Sequence, residues 1–237
     1  MFRTILWYGL GWAYLVTTCP MLWLARYYER KGQLAARDRL AERMIVQICR
    51  VLFRLTGSKI EISGLENVPK QGGVLFVSNH QGHMDSLIIG GYIPKPKGFI
   101  SIVEVLKIPI LSTWMQQSQC VFLDRSDPRQ SAGCINQAVE QLKLGHSMVV
   151  FPEGKLSDDG KANEFQRGWL RMATRSGVPI VPVYINGSYR ALSKDGSRVH
   201  AAKVECKILK PIQADQLQKN DEVEFIEKLR ATILEHA

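Results

Sequence analysis

Three stretches of this 237-residue chain end an apolar run in side chains that can do chemistry. In the first, Val74-Leu75-Phe76-Val77-Ser78 runs into Asn79-His80-Gln81-Gly82-His83-Met84-Asp85. A neutral imidazole nitrogen can take a proton from an attacking hydroxyl. A carboxylate on the other ring nitrogen fixes the tautomer and stabilises the imidazolium that forms. Asp85 stands where the next helix is expected to begin, close enough to fold back on His80. The same spacing also fits a plain helix N-cap at Asp85 beside a loop histidine. A metal-dependent hydrolase would use His80, His83 and Asp85 as ligands. The other three histidines form no second cluster of ligand-like spacing, so no metal is expected.

The second stretch is Cys120-Val121-Phe122-Leu123-Asp124-Arg125. Arg125 could hold a phosphate through two parallel hydrogen bonds, or form a surface ion pair with Asp124 or Asp127. The third is Val149-Val150-Phe151-Pro152-Glu153-Gly154-Lys155, followed by Phe165-Gln166-Arg167-Gly168. Pro-Glu-Gly makes a tight turn by itself. Flanked by Glu153 and Lys155, that turn could also bind a polyol phosphate, the glutamate accepting from hydroxyls and the lysine meeting the phosphate.

Such residues need a frame. Residues 59–62, 74–78, 99–102, 121–124, 148–151, 180–185 and 204–209 read as strands. Residues 129–144, 165–176 and 221–235 carry apolar positions at helical spacing. Strand and helix in alternation predict an α/β fold with a mixed, largely parallel sheet flanked by helices. In such sheets sites form on the loops beyond the carboxyl ends of strands, where all three stretches fall.

Ahead of this domain, residues 4–25 hold no charge and include Trp7, Tyr8, Trp12, Tyr14 and Trp23. Twenty-two uncharged residues are enough to cross a bilayer as a helix, which Pro20 would kink; an interfacial or re-entrant segment fits as well. Residues 33–56 then place Leu40, Met44, Ile48, Leu52 and Leu55 on one stripe. Arg39, Arg43, Gln47, Arg50 and Arg54 form the other, a pattern suited to an anionic lipid surface or to a helix packed on the domain. The expected organisation is therefore an N-terminal membrane-associated helical segment over 1–56 and an α/β domain over 57–237.

The net charge of +9 follows the same division. Residues 1–60 hold ten Lys and Arg against three Asp and Glu, leaving 21 against 19 in the rest. A nucleic-acid reader would carry its basic patch on the folded module, so no nucleic-acid partner is expected. If the apolar run spans, the basic residues after it are expected to place the domain on the cytosolic face of a membrane. Five scattered cysteines with no C-x-x-C pair suggest neither a disulfide framework nor zinc, and read as small core residues in a reducing compartment.

Taken in order, Asn79-His80 with Asp85, Phe122-Leu123-Asp124-Arg125, Phe151-Pro152-Glu153-Gly154 and Val178-Pro179-Ile180-Val181-Pro182-Val183 closely resemble the lysophospholipid acyltransferase family. Its best-known members are the 1-acylglycerol-3-phosphate acyltransferases. The resemblance covers residues 64–187. It implies His80 as general base and Asp85 as its orienting partner. The acceptor hydroxyl then attacks the thioester of acyl-CoA or acyl carrier protein directly, with no covalent acyl-enzyme and no cofactor. It implies substrate-binding parts for Asn79, Arg125, Glu153, Gly154, Lys155 and Arg167, a lysophospholipid acceptor, a bilayer surface as partner, and a place in phospholipid biosynthesis.

Two positions depart from the family. Its third motif usually reads Phe-Pro-Glu-Gly-Thr-Arg-Ser, where this chain has Lys155-Leu156-Ser157 after the glycine. Upstream, Val103-Glu104 stands where a lysine often precedes the glutamate. Two cations commonly used for the acceptor phosphate are thus missing, and a lysine cannot reproduce the bidentate geometry of arginine. The expectation is an acceptor other than the standard lysophosphatidate, or one seated differently.

Overall fold

The apolar runs pair into one sheet, seen in a computed structural model that describes residues 1–157, 160–214 and 221–235. Three helices come first, α1 (Phe2–Thr17), α2 (Cys19–Arg30) and α3 (Leu34–Leu55). Then follow β1 (Lys59–Ser63), β2 (Leu75–Ser78), α4 (Met84–Tyr92), β3 (Lys97–Ile102), α5 (Leu111–Gln117), β4 (Val121–Leu123) and α6 (Pro128–Lys143). The chain continues through β5 (Ser147–Val150), α7 (Leu170–Ser176), β6 (Ile180–Asn186), β7 (Lys203–Ile208) and α8 (Glu222–Leu234). The strand order is β1-β7-β6-β2-β5-β3-β4, and every pair is parallel except β6 with β7. The mixed, largely parallel sheet read from the sequence is present, and all seven expected strands fall within two residues of their expected bounds.

Helices cover both faces, which is why the central strands read as unbroken apolar runs rather than as alternation. The strand period of two sorts their side chains between the layers. Phe76, Val149 and Val181 pack with Ile88 and Ile89 of α4 and Phe53 of α3. Leu75, Val77, Met148 and Val150 pack with Ala138 and Leu142 of α6 and with Ile226 and Leu229 of α8. The strand β1, at one end of the sheet, alternates exposed and half-buried residues. Because β6, β2, β5, β3 and β4 run the same way, their carboxyl ends line one edge of the sheet.

Local chemistry sets the helix bounds. Asp127 caps α6 by accepting from the N–H groups of Arg129 and Gln130, with Pro128 in the first turn. The glycines Gly90 and Gly91 let α4 approach α3, since a Cβ on Gly91 would stand 3.1 Å from Arg50 N and 3.2 Å from Cys49 Cβ. The expected helix over 165–176 is shorter, starting at Leu170. The preceding backbone is engaged elsewhere, Gln166 N donating to Pro152 O and Asn163 N to Glu153.

The N-terminal segment differs from a single apolar helix over 4–25. Thr18 interrupts it; its hydroxyl donates to Leu15 O at 2.6 Å and accepts the Trp114 indole N–H at 3.0 Å. Pro20 lies in the first turn of α2, where its missing N–H costs no hydrogen bond. The near-continuous run Phe2–Arg30 is long and apolar enough to cross a membrane. One side of it is nonetheless held on the protein. Gly11 and Leu15 are buried there, Trp7 Nε1 donates to Leu52 O, and Tyr8 OH donates to Gly196 O. The opposite side leaves Phe2, Ile5, Val16, Trp23 and Tyr27 exposed. On α3 the expected apolar stripe is inward and Arg39, Arg43 and Arg54 face outward.

Candidate active site

Beyond the carboxyl end of β2 the chain turns sharply into α4, bringing Asp85 back to His80. Nδ1 of His80 lies 2.9 Å from Oδ2 of Asp85, which also accepts the Gly82 N–H at 2.9 Å. A carboxylate oxygen that already accepts a backbone N–H takes the ring proton as well, so Nδ1 donates and Nε2 keeps its lone pair. Asp85 is fully buried while the His80 side chain is 17% exposed, which leaves the imidazole open to solvent. Asp85 is not the cap of α4; it lies in the first turn and reaches back to the preceding loop.

The ring is held from below and its peptide from both ends. Phe151, first residue after β5, stacks on His80 with ring centroids 4.0 Å apart and planes 16° from parallel. The His80 N–H donates to Glu153 Oε1 at 2.7 Å, and its carbonyl accepts both the N–H and the hydroxyl of Ser157 at 2.8 Å. The loop after β5 therefore clamps the turn after β2, across the strand boundary. Sequence reasoning misses Phe151 and Ser157, because the charged residues between them carry the visible chemical signal of that stretch.

Two of the residues expected to bind substrate have partners within the chain. Asn79 is buried, its amide donating to Ile185 O at 2.8 Å and its carbonyl oxygen accepting the Ile185 N–H at 2.9 Å. A side-chain amide presents the donor and acceptor of a peptide, so Asn79 extends the pairing of β2 with β6. Glu153 is 3% exposed. Its Oε2 accepts the backbone N–H of Asn163 at 2.7 Å and the side-chain amide at 2.9 Å. With both oxygens engaged by the chain, it braces the His80 turn. Gly154 stands where the turn needs it, at φ +68°, a conformation that a side chain would strain.

The cations lie at the rim. Lys155 and Arg167 are exposed on the loop after β5. Arg125 is exposed in the turn after β4, on the same edge as His80 but three strands along, about 14 Å at usual strand spacing. The carboxylates next to it are occupied. Asp124 accepts the N–H and hydroxyl of Ser126, which hold its carboxyl below the usual range, and Asp127 caps α6. Arg125 makes no ion pair among the described residues. Leu156, in the place of the family's arginine, is half-buried, and Glu104 is exposed in a single 3₁₀ turn after β3.

His83 turns away from this centre, its Nε2 lying 2.9 Å from the Lys194 carbonyl. Among the described residues no group of three His, Cys, Asp or Glu gathers as a metal site. All five cysteines are free, and burial pushes the Cys49, Cys120 and Cys206 thiols up to about 12. None of those three is a nucleophile at neutral pH.

The family model described as Acyltransferase matches residues 59–186. The chloroplastic 1-acyl-sn-glycerol-3-phosphate acyltransferase LPAT1 of Arabidopsis thaliana is 34% identical over 67% of this chain and 45% of its own length. The 1-acyl-sn-glycerol-3-phosphate acyltransferase of Saccharomyces cerevisiae is 29% identical over 76% of this chain and 60% of its own. The chain thus spans about half the length of the curated relatives it matches. The crystal structure of the 1-acyl-sn-glycerophosphate (LPA) acyltransferase PlsC of Thermotoga maritima superposes with a TM-score of 0.85 at 26% identity. That match covers 99% of this chain and 93% of the other. A match over more than half of the chain, containing the His80–Asp85 turn and its clamp, leaves one conclusion: the chain belongs to the acyltransferase family.

Proposed function

We propose that the protein is an O-acyltransferase moving a fatty acyl chain from acyl-CoA or acyl carrier protein to the free hydroxyl of a lysophospholipid, in phospholipid biosynthesis. The His80–Asp85 pair, with Nε2 unbonded among the described residues at the carboxyl edge of the sheet, carries this reading. The acceptor hydroxyl gives its proton to Nε2 as its oxygen attacks the thioester carbonyl. The tetrahedral intermediate collapses by breaking the carbon–sulfur bond, and the imidazolium returns the proton to the departing thiolate. Asp85 stabilises the imidazolium between those steps. Direct transfer is supported by the neighbouring hydroxyls, since Ser78 and Ser157 both donate to backbone carbonyls and neither faces His80 as a nucleophile.

Both relatives and the matched structure are named for a 1-acylglycerol phosphate acceptor, which supports lysophosphatidate here. Leu156 favours a second reading, in which the acceptor is another lysolipid or its phosphate is met from the rim by Arg125, Lys155 and Arg167. The exposed apolar side of the Phe2–Arg30 run, followed by the arginine face of α3, supports docking on a bilayer with the domain on the cytosolic face.

Release of free thiol from acyl-CoA and acyl carrier protein, measured over a panel of lysolipids in detergent, tests all of this. Acceptor-dependent release that disappears in His80→Ala is the expected result. No release with any pair from folded protein overturns the activity. A strong preference for lysophosphatidate would remove the different-acceptor reading.

A further inference from the structure

A buried carboxylate normally faces a cation, and Glu153 does not. Its oxygens meet three N–H donors, from the His80 backbone, the Asn163 backbone and the Asn163 side chain, with no Lys or Arg in ion-pair reach among the described residues. A cation on this line stands one peptide further out. Arg230 of α8 donates from Nη2 to Ala162 O at 3.1 Å and from Nε to Asn163 O at 3.0 Å. The peptide joining Ala162 to Asn163 therefore presents its carbonyl to the guanidinium and its N–H to the carboxylate. Guanidinium, peptide and carboxylate form a line in which each hydrogen bond polarises the next. The line does not end at Glu153, because its other oxygen holds the N–H of His80.

We infer that Arg230 is a positioning residue for the base, acting through the 162–163 peptide and Glu153 on the backbone of His80. This rests on the reading of His80 as the base. The support behind Arg230 is firm: Ile226, Leu229 and Ile233 bury α8 against the sheet. A fixed guanidinium holds the 162–163 peptide, the peptide holds Glu153, and Glu153 fixes where the β2 turn places the imidazole. The loop after β5 and the base thus share one hydrogen-bonded line anchored on the last helix. Its loss shifts the base relative to the hydroxyl and leaves the rim that binds substrates in place. The signature is a fall in kcat with KM retained.

The experiment compares Arg230→Gln, Arg230→Lys, Glu153→Gln and the double variant Arg230→Gln/Glu153→Gln in the full chain. Lys228→Gln, which removes an exposed ion pair on the same helix, is the control. Thiol release gives kcat and KM, and amide exchange of the segment around residue 80 reports the tie without reference to activity. In Arg230→Gln, kcat falls about ten-fold with both KM values within about two-fold, and exchange around His80 quickens. Arg230→Lys recovers part of each loss, and the double variant is no slower than Glu153→Gln alone. The inference is overturned if Arg230→Gln matches the wild type, if the two losses multiply, or if Lys228→Gln shows the same fall. A wild type that transfers no acyl group, while Arg230→Gln still quickens exchange at His80, would sink the acyl-transfer reading and leave the tie standing.

Discussion

At the carboxyl edge of the sheet, the buried side chains of Asn79, Gln81, Asp85 and Glu153 each answer the chain's own polar groups. Gln81 alone accepts the Gly187 N–H and donates to Gly160 O. At the amino edge, buried Lys95 and Lys97 donate to single backbone carbonyls, of Pro69 and Ile93. Both edges bury polar atoms, yet only the first builds a connected network. On the proposed role of His80, the base must hold its angle to a substrate through each turnover, which a network over-determines and single bonds do not. The amino edge has no such demand, and burial lowers Lys97 to about 8.

The sharpest way to break the comparison is at Asp85. In Asp85→Asn the side-chain amide can present its N–H to His80, favouring the tautomer with the lone pair on the wrong nitrogen. Acyl transfer should fall by about 10²–10⁴, with the protein still folded. Thiol release beside a thermal melt checks this, and activity within about ten-fold of wild type would remove the pair from the mechanism. Asn79→Ala is the next largest effect. It orphans the N–H and the carbonyl of Ile185 in a buried place, so stability should drop by about 2–3 kcal/mol. Urea denaturation measures that loss. An unchanged midpoint would mean that the β2 end is not tied to β6 as described.

The rim of the same edge should respond differently. Arg125→Ala removes an exposed cation with no partner carboxylate among the described residues, so melting should stay within about 1 °C of wild type. For a phosphate-bearing acceptor KM should rise about ten-fold, and Arg125→Lys should recover only part of it. Acceptor titrations decide; equal KM values in the three proteins would take Arg125 out of the site.

How far the molecule can be read in advance follows the same division between local and distant. The seven strands are legible because strands covered on both faces must be apolar throughout. His80 and Asp85 are legible because one turn joins them. The engagement of Asn79 with Ile185, of Ser157 with His80 and of Arg230 with the 162–163 peptide spans 106, 77 and 67–68 residues. No periodicity records such pairs. Glu153 reads as a substrate-binding residue from its place after a strand, and its partners in the chain are not legible there. Its burial comes from Asn163, in the irregular stretch ahead of α7, and from the turn after β2. The break at Thr18 also depends on a distant group, the Trp114 indole, and not on Pro20 alone.

The smallest effect sharpens the comparison from the amino edge. Burial lowers Lys97 from 10.5 to about 8, opposed by Cys49 and Glu42 and assisted by Lys95 and Arg50. Between those two values the unfolded chain binds the proton that the folded chain has released, so this residue's contribution to stability rises with pH across the window. Below about pH 8 both states are charged and the cost of burying the ammonium is fully present. Lys97→Met removes that cost, but it leaves Ile93 O without its donor and loses the cation placed 5.9 Å from the Phe76 ring centre. The net gain at pH 7 should be about 1 kcal/mol, or roughly 2–4 °C in Tm. Melts of both proteins from about pH 7 to about 10.5 should show the gain shrinking above about pH 8 and gone by the upper end. A gain independent of pH would mean that the methionine side chain merely packs better than the lysine, and that the amino edge tolerates its buried cation as easily as the carboxyl edge holds its anions.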